Sequence, residues 1–215
     1  MKTKRIIFSL ALFIGIFSAQ AQEWRGFLEI HAGISPMKSD IEFHDYTFYD
    51  MWNPLSFGLN YTMGVAVLPH LYAGIGIGGY TTMNYDDERG DCDFPSLYFP
   101  IFANVRWIPE INRKFKPFAD LKIGYQMGVD LADDGVYMGS RGDYDYYTQH
   151  RNGVFLQPGV GIRFGRESAF NLGIAYNVCV PQEFVAKDCT KPNFPVVERI
   201  KRNKGSIMLT FGADF

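Results

Sequence analysis

Two stretches of this 215-residue chain repeat one pattern, Arg-Gly-Asp-Cys-Asp at 89–93 and Arg-Gly-Asp-Tyr-Asp at 141–145. Each Arg-Gly-Asp triplet sets a cation and an anion two residues apart, a pair that could grip a partner from an exposed, extended loop. Arg89, Asp91, Arg141 and Asp143 are therefore candidate contact residues. Tyr144, Tyr146 and Tyr147 follow the second copy, and such rings supply contact area at low entropic cost. Gly and Asp are also ordinary turn residues, so the triplets matter only if the fold exposes them.

Other residues bear on chemistry. Four histidines, His31, His44, His70 and His150, could serve a hydrolase or acyl-transfer site with Ser140, Asp45 or Asp143, but no fixed-spacing motif supports a triad, and no catalytic residue is assigned. Asp86, Asp87, Glu88, Asp91 and Asp93 crowd one stretch without calcium-loop spacing, so no metal and no cofactor is expected. Arg199, Lys201, Arg202 and Lys204 form a basic cluster suited to lipid phosphates. Of the three cysteines, Cys179 with Cys189 is the first choice for a bridge and Cys92 with Cys189 the rival.

The compartment decides what these residues face. Lys2, Lys4 and Arg5, the apolar run from Ile6 to Ile16 and Ala19-Gln20-Ala21 read as a secretory signal over 1–21. The apolar run is shorter than the roughly 18 residues a spanning helix needs, and a helical membrane protein is excluded. The remaining 22–215 carries 18 Lys and Arg against 23 Asp and Glu, a formal charge of -5 that does not favour nucleic acid.

Eight segments of the mature chain alternate with period two: 24–34, 55–67, 71–85, 97–107, 117–129, 154–164, 170–178 and 205–215. Their length suits the roughly 9–11 residues of a tilted transmembrane strand. Their polar side is rich in glycine, including Gly58, Gly76, Gly124 and Gly161, which weakens an exposed strand but leaves space for large side chains from across a crowded lumen. The connections alternate long and short, as in an up-and-down barrel with long external loops. Trp24, Trp107, Phe164, Phe170 and Phe215 mark one lipid boundary, and Phe57, Tyr85, Phe99 and Tyr176 the other. Pro100 and Pro158 predict a bulge or local irregularity in their strands. The expected fold is all-β: a closed, eight-stranded antiparallel transmembrane β-barrel, monomeric and in the cell outer membrane.

The segments YFPIFANVRW (98–107), KPFADLKIGYQMGV (116–129), LQPGVGIRFG (156–165) and LTFGADF (209–215) resemble the small, porin-like outer-membrane β-barrel proteins of Gram-negative bacteria, over essentially the whole mature chain. That resemblance implies that Phe215 is the signal read by the barrel-assembly machinery. It also implies contact with outer-membrane lipid and lipopolysaccharide. The RGD triplets, both on the external side of such a barrel, resemble those of integrin ligands.

Eight strands enclose a lumen that side chains can fill. Arg25, Glu29, Arg106, Asp120, Lys122, Arg163 and Asp214 are predicted to face inward and to pair, with Arg106 opposite Asp120 and Asn104 opposite Lys122. The expected role is structural, or one of surface interaction with a host protein or glycan. The alternatives are a rim-located lipid-A-modifying enzyme and a narrow selective channel.

Overall fold

The computed structural model describes residues 24–34, 40–43, 46–49, 55–86, 91–109, 114–130, 136–141, 143–150, 152–165 and 168–215. Among the described residues twelve strands run in chain order: β1 (Trp24–Ile34), β2 (Asp40–Phe43), β3 (Tyr46–Tyr49), β4 (Leu55–Leu68), β5 (Leu71–Asp86), β6 (Asp91–Trp107), β7 (Phe115–Asp130), β8 (Val136–Arg141), β9 (Tyr144–His150), β10 (Gly153–Gly165), β11 (Ala169–Asp188) and β12 (Val196–Asp214). Eight of them form the wall in the order β10-β7-β6-β5-β4-β1-β12-β11, and β10 pairing with β11 closes the ring. A closed ring pairs every wall strand on both sides, which lets a sheet cross hydrocarbon.

The two faces are chemically opposite. Leu59, Ile75, Ile101, Ile123, Val160, Leu172 and Leu209 stand outward and are half or more exposed, while Glu29, Asn60, Arg106, Lys122, Gln157 and Thr210 are buried within the wall. In a water-soluble protein the apolar set would be inside, so the outward face is the one that meets lipid. Trp24, Trp107, Phe170 and Phe215 are exposed near the end that carries the termini, and Phe57, Phe99 and Tyr176 toward the other.

Glycine on the inner side makes room mostly for a side chain of the neighbouring strand, although Gly173 on β11 also yields to Phe118 of β7. A Cβ on Gly58 would overlap the ring of Tyr80, its paired residue on β5. Gly76 yields to Phe102 and Gly161 to Phe118 in the same cross-strand way. The irregularity expected at the two prolines is not a bulge: β5–β6 keeps one register on either side of Pro100, and β10–β11 does so around Pro158. The irregularity is a gap in the ladder, between the Ile77–Ile101 and Tyr80–Tyr98 pairs in one case and the Leu156–Val178 and Gly159–Ala175 pairs in the other. A residue without an N–H loses its ladder bond without adding length to its strand.

The stretches expected as loops at 86–96, 130–153 and 179–204 are largely strand. β11 and β12 continue past the barrel wall as one long hairpin, and β9, flanked by β8, pairs with β11 from Gln182 to Asp188. The change occurs at a register shift between Asn177 and Val180. Before it, the odd residues of β11 face the lumen and Phe170, Leu172, Ile174 and Tyr176 face out. The extra residue on β11 exchanges the two sets, since side chains alternate with period two. Beyond it, Phe184, Ala186 and Tyr146 continue the inner side as a small core with Tyr144 and Ile200. On the opposite side of β11, Glu183 and Val185 are buried as well and Lys187 covers the Tyr147 ring, so the exposed apolar stripe does not continue there.

Candidate functional site: the filled lumen and the external sheet

Lumen-facing positions on β1, β6 and β7 bring four ions together. Pairing of β6 with β7 sets Arg106 beside Asp120 and Asn104 beside Lys122. Arg106 Nη2 bonds Glu29 Oε1 and lies 3.0 Å from Asp120 Oδ2. Lys122 Nζ closes the square at 2.9 Å from Glu29 Oε2 and 2.5 Å from Asp120 Oδ2. Two cations and two anions balance, and each touches both opposite charges. The Arg106 guanidinium is also held between two rings, 4.5 Å from the centroid of Phe27 and 4.7 Å from that of Phe118. Those rings belong to a cluster with Tyr72 and Ile108 that fills the lumen toward the termini.

Arg163 and Asp214 form a separate pair at 2.6 Å, with the Asn171 amide donating to Asp214 at 3.0 Å. Arg25 lies over the Tyr72 ring, 4.9 Å from its centroid. Above the ion square is a layer that charge counting missed. The Asn60 amide reaches His31 Nε2 at 2.9 Å and the Tyr80 hydroxyl at 2.6 Å, and Gln157 donates to that hydroxyl at 3.0 Å. With Nε2 accepting, the Nδ1–H of His31 donates to Thr210 Oγ1 at 3.0 Å, which is the neutral tautomer. The period-two pattern already put Asn60, Tyr80 and Gln157 on lumen positions; the missing signal was cross-strand depth. Tyr80, Tyr98, Phe102, Phe155 and Met208 then form an apolar layer.

No triad is built from the described residues. His31 is fully buried and hydrogen-bonds Thr210 and Asn60, with no serine in the set. His70 sits in the turn between β4 and β5, where its carbonyl accepts from Ile108 N at 2.8 Å. His44 and the side chains of His150 and Ser140 lie outside the described residues.

The external candidates are distributed differently from the expectation. Arg89 lies outside the described residues, as do the side chains of Asp91 and Arg141, whose backbones belong to β6 and β8. Asp143 is exposed in the turn between β8 and β9. Tyr144 and Tyr147 are half-buried, Tyr147 beneath Lys187 with Nζ 4.6 Å from the ring centroid. Tyr146 is 3% exposed inside the small core, so it is a packing residue and not a contact ring.

The Cys179–Cys189 bridge is corrected by the same strand. Cys189 is a free thiol, and ten residues of extended β11 separate the two Cα atoms by roughly 30 Å, against the roughly 7 Å that a disulfide permits. The turn at that end is tied instead by Asp188. Its Oδ1 accepts from Thr190 N at 3.0 Å and Thr190 Oγ1 at 2.6 Å, and its Oδ2 meets Lys191 Nζ at 2.9 Å. The Thr190 hydroxyl first, and then Lys191, holds its carboxyl down at about 2.

The class these features define is the small, closed transmembrane β-barrel with a filled interior. No protein-family model matches the chain. No curated protein matches it in sequence. Solved structures do share the fold. The outer membrane protein OprG from Pseudomonas aeruginosa superposes with a TM-score of 0.54 at 12% identity, covering 90% of this chain and 97% of that one. Neisserial surface protein A gives 0.52 at 14% identity, covering 91% and 98%. The outer membrane protein AlkL in lipid bilayers gives 0.52 at 14% identity, covering 90% and 89%. The chain is similar to these eight-stranded outer-membrane barrels in architecture.

Proposed function

We propose that this barrel is a plugged outer-membrane protein whose role is structural and whose external strands and turns make contacts at the cell surface. The observation that carries the plug is the square of Glu29, Arg106, Asp120 and Lys122, packed against the Phe27–Tyr72–Ile108–Phe118 cluster with all four ions at most 7% exposed. Ions paired with one another and packed against rings oppose a hydrated path for a solute. Purified protein in planar bilayers is expected to be electrically silent. Stepwise conductance that disappears on Arg106→Met would overturn the plug in favour of a channel.

Surface contact is supported by the exposed Asp143 turn, carried on a sheet that projects past the wall. The partners proposed are a host protein or glycan, outer-membrane lipid and lipopolysaccharide, and the assembly machinery through the exposed Phe215. Beads coated with the protein are expected to attach to host cells and to lose attachment when Asp91 and Asp143 are both changed to Ala. Unchanged attachment leaves these residues as turn formers.

A further inference from the structure

The tip of the β11–β12 hairpin contains a conflict between sequence and backbone. Asn193 and Phe194 both have positive φ, 71° and 44°. Asn tolerates the left-handed region, but an ordinary side chain there costs about 1–2 kcal/mol, and glycine would relieve it. Packing gives Phe194 little return, since it is 53% exposed. The turn nevertheless holds it firmly. Asp188 N donates to Pro195 O at 3.0 Å, Phe194 N to Lys191 O at 3.3 Å, and Cys189 N to Asp143 O at 2.9 Å, which joins this turn to the one that carries Asp143.

Strain kept in place of an available glycine is the kind of outlier from which a function is argued. Val196 and Val197 extend the apolar surface, at 39% and 43% exposure. The exposed charges of the strip itself are cationic, with Glu198 half-buried and the exposed Asp143 on the adjoining turn. The Lys191 and Arg199 side chains are 66% and 52% exposed while their partners Asp188 and Glu183 are buried at 8% and 4%, and Lys201 is exposed as well. About ten residues separate Phe194 from the register shift, roughly 30 Å along the strand and so well above the hydrocarbon edge even with tilt. That distance sets the Phe194 turn clear of the membrane lipid.

We infer that this tip is an anchoring site for an acidic protein segment. An apolar residue of the partner seats against Phe194, Val196 and Val197, while Lys191, Arg199 and Lys201 select its carboxylates. This deepens the surface-contact reading, on which it rests, and names a site apart from the RGD triplets. A rigid aromatic presented on an ordered turn binds without the cost of ordering it.

The test is selection of short random displayed peptides against the full protein in lipid nanodiscs. Enriched sequences are expected to combine Asp or Glu with one large apolar residue. Their affinity is expected to fall about tenfold or more on Phe194→Gly. That variant removes the ring and relieves the backbone, so the hairpin stays folded, as the Thr190 amide signal reports. Charge reversal at Lys191, Arg199 and Lys201 is expected to weaken binding and flatten its salt dependence. Peptides that bind the Phe194→Gly variant equally well, peptides without carboxylates, or no enrichment would each overturn the site. Peptides lost on Asp143→Ala but kept on Phe194→Gly would sink this inference alone and leave the broader surface-contact reading standing.

Discussion

Arg106 is the residue on which the interior turns, because it touches two carboxylates and two rings at once. Its removal leaves Glu29 and Asp120 buried with only Lys122 between them. Arg106→Ala is therefore expected to cost about 3–5 kcal/mol, read from urea unfolding in lipid vesicles. Replacing all four ions by Met, Gln and Asn at matched size is expected to cost far less, since no charge is then stranded. A quadruple variant as unstable as Arg106→Ala would contradict this account. Glycines give a second comparison. Gly124→Ala sets a methyl against the carbonyl of Ile101 and the Cα of Phe102, backbone that cannot yield. Gly79→Ala meets nothing closer than 4.0 Å. A loss of about 1–3 kcal/mol is expected at Gly124 and none at Gly79, by the same assay. Which charges turn inward could be read from alternation; how they divide into a square and a separate pair could not, because that depends on depth along a tilted wall.

The wall strands could be located in the sequence because one face must suit lipid and the other a crowded lumen, and that contrast survives in Leu55–Val67 or Ala119–Val129 without any structure. The external strands could not. β11 loses its alternation at the register shift between Asn177 and Val180, and beyond it both faces carry mixed residues, so the stretch reads as loop. The disulfide expectation failed for the same reason, since a loop would let Cys179 and Cys189 meet and a strand holds them apart. At the hairpin end, the Asp188 carboxyl lies below its unfolded value of about 4. It therefore stabilises the turn fully above that value, and the contribution is lost as pH falls through about 2. The Thr190 amide resonance is expected to stay constant down to about pH 4 and to move as pH approaches 2. Movement centred near 4 would show that Asp188 does not tie the turn.

At the scale of the whole molecule, closure, apolar outside and ionic inside are one claim, since a barrel that shows grease to lipid must place its polar residues within. The fold was legible for that reason. Its partners were not, because a filled lumen constrains sequence through packing and says little about what the external turns meet. The most direct measurement is a spin-label scan along β4 in lipid bilayers, one cysteine at a time from Ser56 to Met63 in a background without native thiols. Phe57, Leu59, Tyr61 and Met63 are expected to show high accessibility to oxygen dissolved in the bilayer, and Ser56, Asn60 and Thr62 low accessibility to oxygen and to a water-soluble nickel reagent alike. The inverse pattern, with the apolar set shielded and the polar set open to the nickel reagent, would contradict the barrel described here.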